Sequence, residues 1–188
     1  MARVSAMSLV LRGMCAADIP DVLDVQAAAY PAILNEEAGF FLNRLALSPA
    51  TCWVARDAAS DAMQGYLVAY PWSGGLPPEL GQALPSLPAG ADHWFLHDCA
   101  VHPRAQGRGV GKALYEAGRR QAWEAGLRHG CLVALAEAVP YWLRLGYATP
   151  VGVMPGLAEK LRQYGEGACY LARAMDSVVD RGAAGQGG

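Results

Sequence analysis

The chain has 188 residues, 53% of them hydrophobic and only 17% charged, and a formal net charge of −2. This length suits one domain with a substantial core, and the aromatic content and near neutrality exclude a disordered chain. The 15 Lys and Arg are scattered, which excludes the basic footprint of a nucleic-acid binder, and no run of about 18 apolar residues escapes charges and breakers, which excludes a transmembrane helix.

Residues 6–11 form an apolar run too short for a signal core, interrupted by Arg12. Residues 8–12 read as a strand. Asp18 opens a helix with Pro20 in its first turn and Ile19, Val22, Leu23 and Ala27 near one face. Residues 38–47 read as a second helix, and 51–55 and 64–70 as strands joined by the polar hairpin 56–61. Residues 72–92 are rich in Gly, Pro and Ser and read as a loop of a length that is usually functional or mobile. A strand over 94–101 precedes an amphipathic helix over 110–125, with Val110, Ala113, Leu114, Ala117 and Trp123 in helical period. The pairs Glu116–Arg120 and Arg120–Glu124 support that helix, and Gly126 stops it. Residues 131–135 read as a buried strand and 140–145 as a short helix stopped by Gly146. Another strand begins at Tyr147, and 168–174 forms the last. Residues 1–180 make a single mixed α/β (α+β) domain around one sheet, and the Gly-rich 181–188 a disordered tail.

Five cysteines (Cys15, Cys52, Cys99, Cys131, Cys169) lie too far apart for a zinc pairing or a CxxC motif. Their odd number suits reduced thiols in a cytoplasmic protein. No metal site is expected from sequence, and His93, His102 and His129 read as structural or exposed.

The informative segment is Gln106-Gly107-Arg108-Gly109-Val110-Gly111-Lys112, between a strand and the amphipathic helix. Glycines there let the backbone approach a ligand, and the free amides and dipole of the helix N-terminus favour a pyrophosphate. Lys112 and Arg108 add positive charge. A P-loop needs Gly at position 106 and Ser or Thr at 113, where Gln106 and Ala113 stand; a dinucleotide fingerprint needs a third Gly at Lys112.

The spacing that fits is Gln-x-x-Gly-x-Gly at Gln106, Gly109 and Gly111, preceded by Ala100-Val101-His102-Pro103. It resembles the acyl-coenzyme A loop of the GNAT superfamily of N-acetyltransferases. Tyr141-Trp142-Leu143-Arg144-Leu145-Gly146-Tyr147 is similar to that family's short helix ending in Leu-Gly-aromatic. The resemblance implies a mixed, splayed, mostly antiparallel sheet flanked by helices, with acetyl-CoA lying beside the glycine loop. Cys99, Ala100 and Val101 would then meet the pantetheine and thioester through the backbone. Gln106, Gly107, Arg108, Gly109, Val110, Gly111 and Lys112 would hold the pyrophosphate. The implied reaction is direct attack of an amine on the thioester, leaving Cys99 a small core thiol.

An alkyl ammonium titrates near 10.4, so attack needs a base within hydrogen-bond reach. His97 is the candidate. Strand alternation would put His93, Phe95, His97, Cys99 and Val101 on one face and Asp98, a structural ion partner, on the other. The run His97-x-x-x-Val101-His102 is similar to that of arylalkylamine N-acetyltransferases, although their second histidine falls on Phe95. The family's thiolate-protonating Tyr falls on Trp142, so either Tyr141 beside it supplies the acid or none is used. Tyr30, Phe40, Phe41, Tyr70, Trp72 and Trp142 could wall an amine pocket, with Glu36, Glu37 or Asp98 attracting its charge. Tyr70-Pro71-Trp72 is the segment most readily placed in the site.

The expected function is acetyl transfer from acetyl-CoA to a primary amine of a small molecule, of arylalkylamine or polyamine type, by a monomer or homodimer that needs neither nucleic acid nor membrane. The alternatives are a protein N-terminal or lysine acetyltransferase and a non-catalytic CoA-binding sensor or interaction module.

Overall fold

The computed structural model describes residues 8–152 and 154–176, so the expected tail at 181–188 lies outside the described residues. In chain order the elements are β1 (Leu9–Gly13), α1 (Ile19–Ala29), α2 (Ala38–Leu47), β2 (Trp53–Asp57), β3 (Met63–Trp72), β4 (His93–Val101), α3 (Val110–Glu124), β5 (His129–Ala134), α4 (Val139–Arg144), α5 (Leu157–Arg162) and β6 (Cys169–Ala174). They form a mixed α/β fold whose six strands follow the order β1-β2-β3-β4-β5-β6. Every neighbouring pair is antiparallel except β4–β5, which is parallel and takes α3 as its crossover.

The sheet carries a hydrophobic cluster on each face, which is why β3 reads as an almost continuous apolar run. Leu67 and Ala69 of β3 pack with Trp94, Leu114, Tyr115 and Ala122 on the α3 side. Tyr66, Val68 and Tyr70 point the other way, into a cluster with Val22, Phe41 and Phe95 under α1 and α2. Gly118 lies inside α3, where glycine costs about 1 kcal/mol against alanine. A Cβ there would stand 2.8 Å from Trp94 Cζ2, so the missing side chain sets how closely α3 approaches the sheet.

Three sequence expectations are corrected here. The strand expected from Tyr147 is a single bridge, Ala148 to Ala172, while the sequence reading missed α5 altogether. On α3 the ion pair is Arg119 to Glu116 at 3.0 Å rather than the two pairs through Arg120. The largest correction lies in β4. Val68 pairs with Asp98 but Ala69 pairs with Leu96, so His97 is the extra residue of a β-bulge. The bulge resets the alternation: Cys99 and Val101 join the α3-side cluster, while His97 and Asp98 both turn toward α1 and α2.

The parallel pairing of β4 with β5 runs from His93↔His129 to Leu96↔Leu132 and stops there. Beyond it β4 continues on β3 as far as Val101, and β5 continues on β6 as far as Ala134. The two strands part, and the site lies in the gap.

Asp18, 2% exposed, clamps the start of α1 to the β1–β2 edge. It accepts two hydrogen bonds from Arg12 at 2.7 Å and one from Arg56 at 2.8 Å. Burial pushes this carboxyl up, but the hydrogen bonds from Arg12, the Cys15 amide and Arg56 outweigh it and hold it well below the usual carboxylate range. Because the folded-state value lies below the unfolded one, its contribution is complete above about pH 4 and is lost as the pH falls further. Asp18→Asn is expected to lower stability by about 3 kcal/mol at pH 7. Urea midpoints of variant and wild type should then converge on acidification below pH 4; a constant difference would contradict the ionic account.

Candidate active site

A cavity of about 590 Å³ fills the gap between the parted strands. β4 lines it from Leu96 to Val101, β5 and the turn after it from Leu132 to Leu135, and the loop before α3 closes one end. Of the ten residues expected to hold coenzyme A, nine line this cavity: Cys99, Ala100, Val101, Gln106, Gly107, Gly109, Val110, Gly111 and Lys112. Arg108 is the exception. It faces a separate hollow with Asp57, Ser60, Gln64 and Arg104.

Gly109 caps α3 with φ of 80°, and Gly107 has φ of 74°, the left-handed region that other residues enter at a cost. A Cβ built at either would meet nothing within 4 Å, so open space lies in front of both. The first-turn amides of α3 have no partner within the helix and carry its positive dipole end, and Lys112 stands beside them. This cradle fits a pyrophosphate. The unpaired flank of β4 beyond Leu96 fits the amide-bearing pantetheine arm, which can pair with backbone as a strand would.

The opposite end of the cavity is built by the bulge. His97 Nε2 lies 2.9 Å from Glu36 Oε2, and its Nδ1 lies 3.1 Å from the Tyr70 hydroxyl. The His97 and Glu36 side chains are 3% and 5% exposed, and the imidazole lies against Phe40 with centroids 4.6 Å apart. Glu36 also accepts the Gly81 amide at 2.9 Å, so the carboxylate that holds the histidine also holds the 73–92 loop. That loop is further tied to α2 by Asn43 and Arg44, which bond the backbone at Leu84 and Gln82, and to α5 by Lys160–Glu79 at 3.1 Å. Its Leu80 reaches the cavity wall.

Next to His97, Asp98 finds two tyrosines rather than an ion-pair partner. It accepts from Tyr30 at 2.7 Å and Tyr66 at 2.5 Å. Burial raises its carboxyl above the usual range against those two hydrogen bonds. Burial also raises the Cys99 thiol to about 12, with the Asp98 charge adding to the effect, so Cys99 is a protonated thiol and no nucleophile.

Of the expected acceptor residues, Tyr30 and Trp142 line the cavity. Tyr70 stands behind His97, and Trp72 lies off the cavity, edge-on to Tyr70, with its indole N–H on the Leu76 carbonyl at 3.1 Å. The Tyr70-Pro71-Trp72 segment therefore supports the site rather than lining it. Trp142 packs on Tyr115 and Tyr147, leaving Tyr141, at 36% exposure, to border the cavity. Burial raises the Tyr141 phenol, which keeps its proton. Sequence reasoning missed Tyr66 and Tyr164. The Tyr164 hydroxyl is buried at the cavity with no hydrogen-bond partner among the described residues. It follows α5, the element that left no readable signal.

The profile of the Acetyltransferase (GNAT) family matches residues 19–147, and the chain belongs to that family. A search of curated protein sequences gives no significant match. Among solved structures, the chain is similar to the loading GNATL domain of CurA from Lyngbya majuscula, with 13% identity and TM-score 0.73 over 89% of this chain and 98% of that one. It is also similar to PaiA N-acetyltransferase from Thermoplasma acidophilum in complex with coenzyme A, with 12% identity and TM-score 0.64 over 90% and 100%. A third similar structure is Naa20 from Chaetomium thermophilum in complex with a bisubstrate analogue, with 21% identity and TM-score 0.61 over 88% and 86%. The protein is an acetyl-CoA-dependent acetyltransferase with the GNAT fold. No helix among the described residues is long and apolar enough to cross a membrane.

Proposed function

We propose that the chain acetylates a primary amine of a small molecule, of arylalkylamine or polyamine type, by direct attack, with His97 as general base. One observation carries the reading: the cavity is charged oppositely at its two ends. Lys112 and the amide-rich start of α3 stand at one end, the carboxylates of Glu36 and Asp98 at the other, beside His97 and under a loop that Glu36 itself fastens. Carboxylates and tyrosines at a closed end suit a cationic amine with an apolar body.

Acetyl-CoA supplies an activated acyl carbon. Asp98 and Glu36 draw the ammonium to the closed end, and the unpartnered Tyr164 hydroxyl offers it a further polar contact. With Nδ1–H donating to the Tyr70 hydroxyl at 3.1 Å, the proton given up by the amine passes to His97 Nε2, and the imidazolium so formed pairs with Glu36 at 2.9 Å. Attack of the freed amine on that acyl carbon would form the C–N bond, and breaking of the C–S bond would then release the coenzyme A thiolate with its electron pair. Tyr141, at the cavity edge and protonated, can deliver the proton that neutralises it. A thiol titrates near 8.5, so this acid is helpful rather than indispensable.

Thiol release from acetyl-CoA over a panel of arylalkylamines, polyamines and short peptides tests the proposal. The expected result is turnover with one class of small amine, and a KM for it raised roughly tenfold or more in Asp98→Asn, the scale of a lost charge-assisted hydrogen bond. Turnover with peptide N-termini or lysines alone would replace the small-molecule acceptor by a protein. Coenzyme binding without release under any acceptor would leave a sensor.

A further inference from the structure

A second cluster of chemistry-bearing side chains lies outside the cavity, where β4 and β5 begin. His93 and His129 are register partners in the parallel pair, and their imidazoles stack with centroids 4.7 Å apart and planes 24° apart. The carboxylate of Asp92 faces both rings, with Oδ1 2.5 Å from His93 Nδ1 and Oδ2 3.7 Å from His129 Nδ1. One ligand atom from each of the three residues lies within 4.8 Å of the other two. Backbone bonds fix the frame: the Asp92 carbonyl accepts the Arg128 amide at 2.9 Å and the His129 amide at 3.3 Å. The nearby cation is turned away, with the Arg128 guanidinium lying over the Trp123 ring at 3.9 Å.

We propose that Asp92, His93 and His129 form a binding site for a zinc-class divalent cation. Two imidazole nitrogens and one carboxylate oxygen are a donor set of borderline softness that suits zinc, and water can complete a tetrahedron. Bonds of about 2.0–2.2 Å place tetrahedral ligand atoms roughly 3.3–3.6 Å apart. The present separations, 2.5 Å from Oδ1 to His93 and 3.7 Å from Oδ2 to His129, involve both carboxylate oxygens, and the stacked rings must turn out of their 24° arrangement to aim both Nδ1 lone pairs at one cation. The hydrogen bond to Asp92 satisfies only His93. His129 Nδ1 faces the same carboxylate from beyond hydrogen-bond range, and a shared cation is what would engage both rings at once.

The site lies four residues before His97, about 13 Å along the strand, so the cation acts on the fold rather than on the reaction. Asp92 ends the 73–92 loop, and Gly74 near its start lies against the His93 ring, where a Cβ would meet Cε1 at 3.0 Å. A bound cation would therefore fasten the end of that loop, at Asp92, to the starts of β4 and β5.

Calorimetric titration of the untagged protein with zinc, and its absorption spectrum with cobalt(II), provide the test. One equivalent should bind, with cobalt bands of a nitrogen and oxygen site. His129→Ala should weaken binding at least tenfold, whereas His102→Ala, beyond the far end of β4, should leave it unchanged. Zinc should raise the melting temperature of the wild type and of His102→Ala but not of His129→Ala. Absence of saturable binding, equal binding by His129→Ala, or an intense thiolate charge-transfer band, which would move the metal to a cysteine, each overturns the proposal.

Discussion

His97→Ala is expected to lower kcat by about 10²–10⁴-fold, the range ascribed to a positioned general base, while the affinity for coenzyme A changes little. The separation follows from the geometry. His97 stands at the closed end with Glu36 and Tyr70, and the glycine cradle belongs to the loop before α3. Truncation also takes one hydrogen-bond partner each from the Glu36 carboxylate and the Tyr70 hydroxyl in a buried place, so some loss of stability accompanies it. The pH–rate profile tells catalysis from packing. The pH dependence of the rate should differ between wild type and variant, since only the wild type has a positioned base and the variant must rely on amine already free of its proton. His97→Gln keeps a hydrogen-bonding side chain but cannot take a proton, and should share the kinetic defect with less loss of stability. An unchanged pH–rate profile in either variant would remove His97 from the mechanism.

Gly109→Val is expected to reduce coenzyme A affinity by at least two orders of magnitude. Gly109 holds φ of 80° as the cap of α3, and a β-branched residue there costs about 1–3 kcal/mol in backbone strain. Nothing in the protein stands within 4 Å of the added Cβ, so the fold has room for it. The room in question is the space in front of the first-turn amides, which the side chain would deny to a pyrophosphate. The fold should therefore survive while the cradle fails. Calorimetry with coenzyme A, set beside a melting curve, reads both, and normal affinity in the variant would reduce the loop to a turn.

Most of the element order was legible because it depends on local signals. The helical period from Val110, the glycine stops at Gly126 and Gly146 and the hairpin between β2 and β3 lie within a few residues of what they determine. The cofactor end of the site was legible for the same reason, since one contiguous loop builds it. The acceptor end is assembled from residues far apart in the chain. His97 meets Glu36 across 61 positions, and Asp98 meets Tyr30 across 68. Strand alternation also misplaced Asp98, because a bulge is a property of two strands in register and nothing in β4 alone announces it. The helix α5 and Tyr164 were missed because their few apolar residues follow no long period and gain their burial from neighbouring segments.

The short reach of the β4–β5 pairing has a mechanical meaning. Only four register pairs, His93↔His129 to Leu96↔Leu132, join the four-stranded plate β1–β4 to the two-stranded plate β5–β6. The plates meet like the covers of a half-opened book whose spine is those four pairs. A wedge seated in the opening bears on both covers, and a pin near the spine, where Asp92, His93 and His129 cluster, would set how far they can spread.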